Sequence, residues 1–85
     1  MDIKAEQLRL MIHAIGFTAK KIKRGKYVAW RNYFCSYGES RDWEQLVELG
    51  FAEKNQREKA IYYFVTKKGM DYIGEIMGAK IIESE

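Results

Sequence analysis

Residues Trp43–Met77 read WEQLVELGFAEKNQREKAIYYFVTKKGMDYIGEIM, and this stretch decides the fold. Ser40 stands where a helix N-cap is wanted, and Trp43, Leu46 and Val47 share one face of the helix it opens, Arg41 to Leu49. Gly50 ends that helix, because a left-handed residue after the last turn costs glycine little. Phe51 to Lys54 begins a strand and Ala60 to Thr66 (AIYYFVT) is a second, rich in branched and aromatic residues. The polar run Asn55-Gln56-Arg57-Glu58-Lys59 between them reads as a hairpin tip. Thr66 caps a further helix, Lys67 to Met77, that Gly78 stops. Met70, Tyr72, Ile73, Ile76 and Met77 fall on one side of it, with Asp71 and Glu75 opposite.

Upstream, Ile3 to Ile15 has helical periodicity, with Leu8, Met11, Ile12 and Ile15 in one stripe, Asp2 as its cap and Gly16 as its stop. His13, Glu6 and Arg9 lie on the solvated side. Phe17 to Lys26 is a basic connector, Tyr27 to Phe34 (YVAWRNYF) an extended segment, and Cys35 to Glu39 a turn. The tail from Ala79 carries Ile81 and Ile82, placed to dock across the first helix, and residues 80–85 are expected to fray.

Eighty-five residues make one domain, here residues 1–85, with a thin core. A hydrophobic content of 47% with 2 Trp, 6 Tyr and 4 Phe excludes a disordered chain. One cysteine, Cys35, excludes an internal disulfide, and the chain fits a reducing cytoplasmic setting. The N-terminus has no signal-peptide pattern, and no apolar run approaches the ~18 residues of a membrane span, so no membrane partner is expected. The net charge of +3 is unevenly spread. From Phe17 to Phe34 there are six cations (Lys20, Lys21, Lys23, Arg24, Lys26, Arg31) and no acid, whereas Cys35 to Glu53 holds five acids and one base. Such asymmetry bears on partners.

The run Leu46 to Lys54, followed by Tyr62 to Gly69, resembles bacterial winged-helix regulators. Leu46-x-x-x-Gly50-Phe51-Ala52-Glu53 is similar to the end of their recognition helix and entry to the wing. Tyr63-x-Val65-Thr66-x-x-Gly69 is similar to the exit from the wing into the closing helix. The resemblance covers the C-terminal half. It implies an α+β, winged-helix-like domain with three helices and a small antiparallel sheet, to which Tyr27–Phe34 adds a third strand or replaces a missing helix. Arg31-Asn32-Tyr33-Phe34 looks like a run in small phage or prophage proteins of undefined role. A helix-turn-helix needs a helix just before the recognition helix. Here that place holds an extended segment, and the helix that would read DNA carries Asp42, Glu44 and Glu48.

Two functions from different classes follow. In the first, Lys20, Lys21, Lys23, Arg24 and Lys26 of the connector and Lys54, Arg57 and Lys59 of the hairpin contact nucleic acid, with Tyr27 and Trp30 close by for stacking. Their ordinary alternative is a solvated loop and a charged strand edge that discourages aggregation. In the second, Ile3, Leu10 and Ala14 widen the stripe of the first helix into a face for a homodimer or protein partner; the alternative is cover by the tail. An ion pair with an acid such as Glu48 is the expected role of Arg31. Trp43, Tyr63 and Phe64 read as core or half-core packing and Cys35 as a small buried apolar group. No nucleophile–base pair, phosphate loop or paired carboxylates stand in a recognisable frame, so no enzyme is expected. No cofactor, metal or small-molecule ligand is expected either, since His13 has no second ligand at metal spacing.

Overall fold

The computed structural model describes residues 3–83, an α+β domain. Along the chain it runs α1 (Ala5–Ala14), β1 (Lys26–Ala29), β2 (Phe34–Ser36), α2 (Arg41–Glu48), β3 (Ala52–Arg57), β4 (Ala60–Val65), α3 (Lys67–Met77) and β5 (Lys80–Glu83), with one 3-10 turn at Ala19–Lys21. The expected Asp2 cap lies outside the described residues. At the start of α1, Gln7 Oε1 accepts the Lys4 N–H at 2.7 Å, which satisfies one orphan donor of the first turn. Gly16 (φ 65°) ends α1: its N–H donates to the His13 carbonyl and that of Phe17 to the Ile12 carbonyl. Gly50 (φ 84°) repeats the arrangement after α2, through Val47 and Leu46. Ser40 Oγ accepts the Trp43 N–H and Thr66 Oγ1 the Gly69 N–H, as their positions predict.

A three-stranded antiparallel sheet has the order β2-β4-β3. β4 alternates, with Ile61, Tyr63 and Val65 buried on the face toward the helices. Met11, Ala14 and Ile15 of the first helix and its exit, Trp43 and Leu46 of α2, and Met70 and Ile73 of α3 fill the core against them. Trp43 and Tyr63, both fully buried, stack with ring centroids 5.3 Å apart. The one buried polar side chain among the described residues, Gln7, ties α1 to α2 by donating to Gln45 Oε1 and to the Asp42 carbonyl at 2.7 and 3.3 Å.

The segment expected as one strand over Tyr27–Phe34 breaks after Ala29, and the strand that joins the hairpin shares only Phe34 with it. β2 takes Cys35 and Ser36 from the expected turn, with Phe34 opposite Tyr63 and Ser36 opposite Ile61. Continuing that register places Asn32 opposite Val65, and there the side-chain amide takes over from the main chain. Asn32 Nδ2 donates to the Val65 carbonyl and Asn32 Oδ1 accepts the Val65 N–H, both at 2.8 Å. The start of the segment, β1, pairs instead in parallel with β5, Tyr27 beside Ile81. Residues 80–83 therefore do not fray: Ile81 is buried in the core and the tail packs against α3 and β1 rather than across the first helix. Gly74 permits this, because a Cβ there would collide with the Ala79 carbonyl. Among the described residues no helix is long and apolar enough to cross a membrane.

Candidate nucleic-acid interface

The connector is more ordered than its composition predicts. After the 3-10 turn, Lys23 and Lys26 exchange two main-chain hydrogen bonds (2.8 and 3.0 Å) around Arg24 and Gly25, both with positive φ (54° and 75°). Two such residues make the tight turn whose twist suits a hairpin. Lys20, Lys21, Lys23, Arg24 and Lys26 are all exposed, and none pairs with an acid among the described residues. Tyr27, expected near this site for stacking, is buried instead: its hydroxyl donates to the carbonyls of Ile15 and Gly16 at 3.1 and 2.6 Å, and burial raises its pKa. Trp30 is 60% exposed, its indole N–H donating to the Gly16 carbonyl.

From the connector a series of cations and rings crosses the molecule. Lys21 Nζ lies 5.5 Å from the centre of the Trp30 ring, and the Arg31 guanidinium lies 5.7 Å from Trp30 and 4.4 Å from Tyr33. The expected ion pair of Arg31 is absent among the described residues. Its Nη2 donates to the Tyr33 carbonyl, and its buried Nε has no hydrogen-bond partner. Tyr33 in turn lines an open cavity of about 490 Å³ with Asn55, Arg57, Tyr62 and Phe64. This is the outward face of the three-stranded sheet. A second cavity, of about 360 Å³, continues it past Tyr62 and Arg57 to Tyr37 and Lys59 at the hairpin tip.

The hairpin tip is tighter than expected. β3 continues to Arg57, leaving only Glu58 and Lys59 in the turn, with Glu58 at φ 53°. Arg57 and Lys59 are exposed as predicted. Lys54 is not a free contact: it lies on the inward side of β3 and its Nζ meets Glu44 Oε1 of α2 at 2.7 Å. Glu44 Oε2 accepts the Tyr63 hydroxyl at 2.6 Å, and the two hydrogen bonds, that from Lys54 first, hold the Glu44 carboxyl below its ordinary pKa. Asp42 lies 4.0 Å from Lys4. Two acids of α2 are thus turned toward partners within the domain.

The helix 1 face reads differently in three dimensions. Ala14 is fully buried and so leaves the expected partner face, and Ile3 and Leu10 are half-buried against the core. Of the three rings expected as core or half-core packing, Trp43 and Tyr63 are fully buried and Phe64 is half-buried, on the outward sheet face. Cys35, also half-buried, shares that face, and its side chain beside the Tyr62 hydroxyl raises the Tyr62 pKa. The period-2 pattern of AIYYFVT held the signal for this surface, since Tyr62 and Phe64 must oppose Ile61, Tyr63 and Val65. Among the described residues no group of three metal-ligating side chains converges. Comparison with protein-family models, with curated proteins and with solved structures finds no match.

Proposed function

We propose that this protein is a non-enzymatic, nucleic-acid-associated accessory or regulatory domain on a winged-helix-like scaffold. The observation that carries the reading is the exposed, unpaired cluster Lys20, Lys21, Lys23, Arg24 and Lys26, continued through Trp30 and Arg31 to Arg57 and Lys59. Nucleic acid presents dense negative charge, and binders gain affinity by releasing the counterions it holds. The order α2, hairpin, α3 supports the winged-helix-like scaffold, with the hairpin as wing. β2 occupies the place of the usual preceding helix, and the acids of α2 make it a poor reader of a major groove. Contact therefore falls to the connector and the outer hairpin.

The reading is tested by fluorescence anisotropy with labelled single-stranded and duplex oligonucleotides between 50 and 200 mM salt. If four cations meet phosphates, log K falls with log salt at a slope of about −3 for a single strand or about −4 for a duplex. Neutralising Lys23 and Arg24 together flattens that slope by about 1 to 2. Absence of binding to either oligonucleotide at 50 mM salt refutes the reading.

A further inference from the structure

We infer that the outward face of the β2-β4-β3 sheet is a stacking platform for single-stranded nucleic acid, with Tyr33, Tyr62 and Phe64 receiving bases and Arg31 and Arg57 receiving phosphates. This rests on the nucleic-acid reading above and specifies the form of strand bound.

The buried core packs against Ile61, Tyr63 and Val65 on the other side of the sheet, and on this face Tyr62 and Phe64 are half-buried and border open cavities. Tyr62 and Phe64 alternate along the central strand, and side chains two residues apart on one face stand roughly 7 Å apart. Each ring can then take its own base, a contact tolerant of sequence because every base has a flat face. Tyr33, 45% exposed, falls opposite Phe64 when the β2-β4 register is continued. Charge complementarity selects the occupant. The Arg31 guanidinium lies 4.4 Å from the centre of the Tyr33 ring with no acid in ion-pair reach among the described residues, and Arg57 borders the same cavity. The acids near this surface, Glu53 opposite Phe64 and Glu58 in the turn, sit on its β3 side, where Glu58 lines the cavity at the hairpin tip with Arg57 and Lys59. A duplex buries the faces of its bases in its own stack, whereas an unpaired strand can splay them onto rings.

The experiment compares a labelled 12-nucleotide mixed-pyrimidine DNA strand with its duplex at 50 mM salt, using wild type, Tyr33→Ser, Phe64→Ser and a Lys23→Gln/Arg24→Gln double variant. Circular dichroism melts check each fold, and light scattering its mass. The expected result is tighter binding of the single strand, weakened about five- to hundredfold by Tyr33→Ser and by Phe64→Ser, with little change toward the duplex. Tyr33 lies outside the strands, so if Phe64→Ser does not fold, Tyr33→Ser decides. Duplex binding at least as tight as single-strand binding, insensitive to Tyr33→Ser but lost in the double variant, overturns the platform and leaves the broader reading standing. No binding to either oligonucleotide overturns both. A dimer that Phe64→Ser or Tyr33→Ser disperses, without strand binding, makes the face a self-interface and also overturns the proposal.

Discussion

Replacing Asn32 by alanine should destabilise the domain far more than loss of a half-buried loop side chain ordinarily does. Asn32 supplies both a donor and an acceptor to Val65 at 2.8 Å, at the ladder position its main chain vacates. Val65 is only 2% exposed, so alanine strands a buried N–H and a buried carbonyl. Each such loss costs about 1–3 kcal/mol, and partial access for water keeps the sum toward the lower half, about 2–4 kcal/mol. For a domain of this size that corresponds to a fall in Tm of roughly 8–30 °C. Asn32→Asp separates the two bonds. Its carboxylate still accepts the Val65 N–H but faces the Val65 carbonyl with another oxygen, which raises the folded-state pKa of the acid. A raised pKa gives stability that is present below the unfolded value of ~3.9 and lost as pH rises through the folded one. The deficit of Asn32→Asp against wild type, followed by urea denaturation, should therefore be large at pH 7 and shrink toward pH 4. An Asn32→Ala protein melting within about 3 °C of wild type, or an Asn32→Asp deficit independent of pH, refutes the ladder-substitution argument.

Three further outcomes are expected. Gly69→Ala should lower the urea midpoint, at a cost of about 1–3 kcal/mol despite alanine's better helix propensity, because its Cβ would meet the Phe51 carbonyl and come within 2.7 Å of Val65 Cγ1. Gly16→Ala should also destabilise, since it combines a left-handed backbone with a Cβ only 2.7 Å from the Trp30 indole; the change should appear both in Tm and in indole fluorescence. The depressed Glu44 pKa means its contribution is full above the unfolded glutamate value of ~4.3 and disappears as pH falls through the lower folded value. A Glu44→Gln variant should accordingly lose part of the acid sensitivity seen in urea midpoints between about pH 5 and 3.

What was legible in the chain was its local chemistry. Ser40, Thr66, Gly16, Gly50 and Gly78 announce helix ends through side chains and backbone preferences acting within a few residues, and α1, α2 and α3 stand close to their predicted bounds. The parallel partner of β1 was not legible: Ile81 and Ile82 are too short a run to declare a strand, and parallel pairing carries no turn signature. Asn32 looked like an ordinary loop residue because its bonding partner is 33 positions away. Among the candidate contacts, composition located the connector and the outer hairpin. It could not separate Lys54 from Arg57, since which side of β3 each occupies depends on where the hairpin turns. A tip drawn at Asn55–Lys59 hides that alternation, whereas a turn at Glu58-Lys59 makes it plain.

The pairing of β1 with β5 also has a kinetic meaning. It joins segments roughly fifty residues apart, Lys26 beside Lys80, whereas β3 and β4 are joined by a two-residue turn. Contacts of such separation carry the larger loop-closure cost and are expected to form late, after the hairpin and helices have condensed. During synthesis this ladder cannot close until the C-terminal strand has left the ribosome, so Tyr27 and Ala29 wait without their final cover. Interactions absent from the folding transition state act mainly on the rate of unfolding. The β1–β5 pair then works as a latch: weakening it should shorten the lifetime of the folded state while barely slowing its formation.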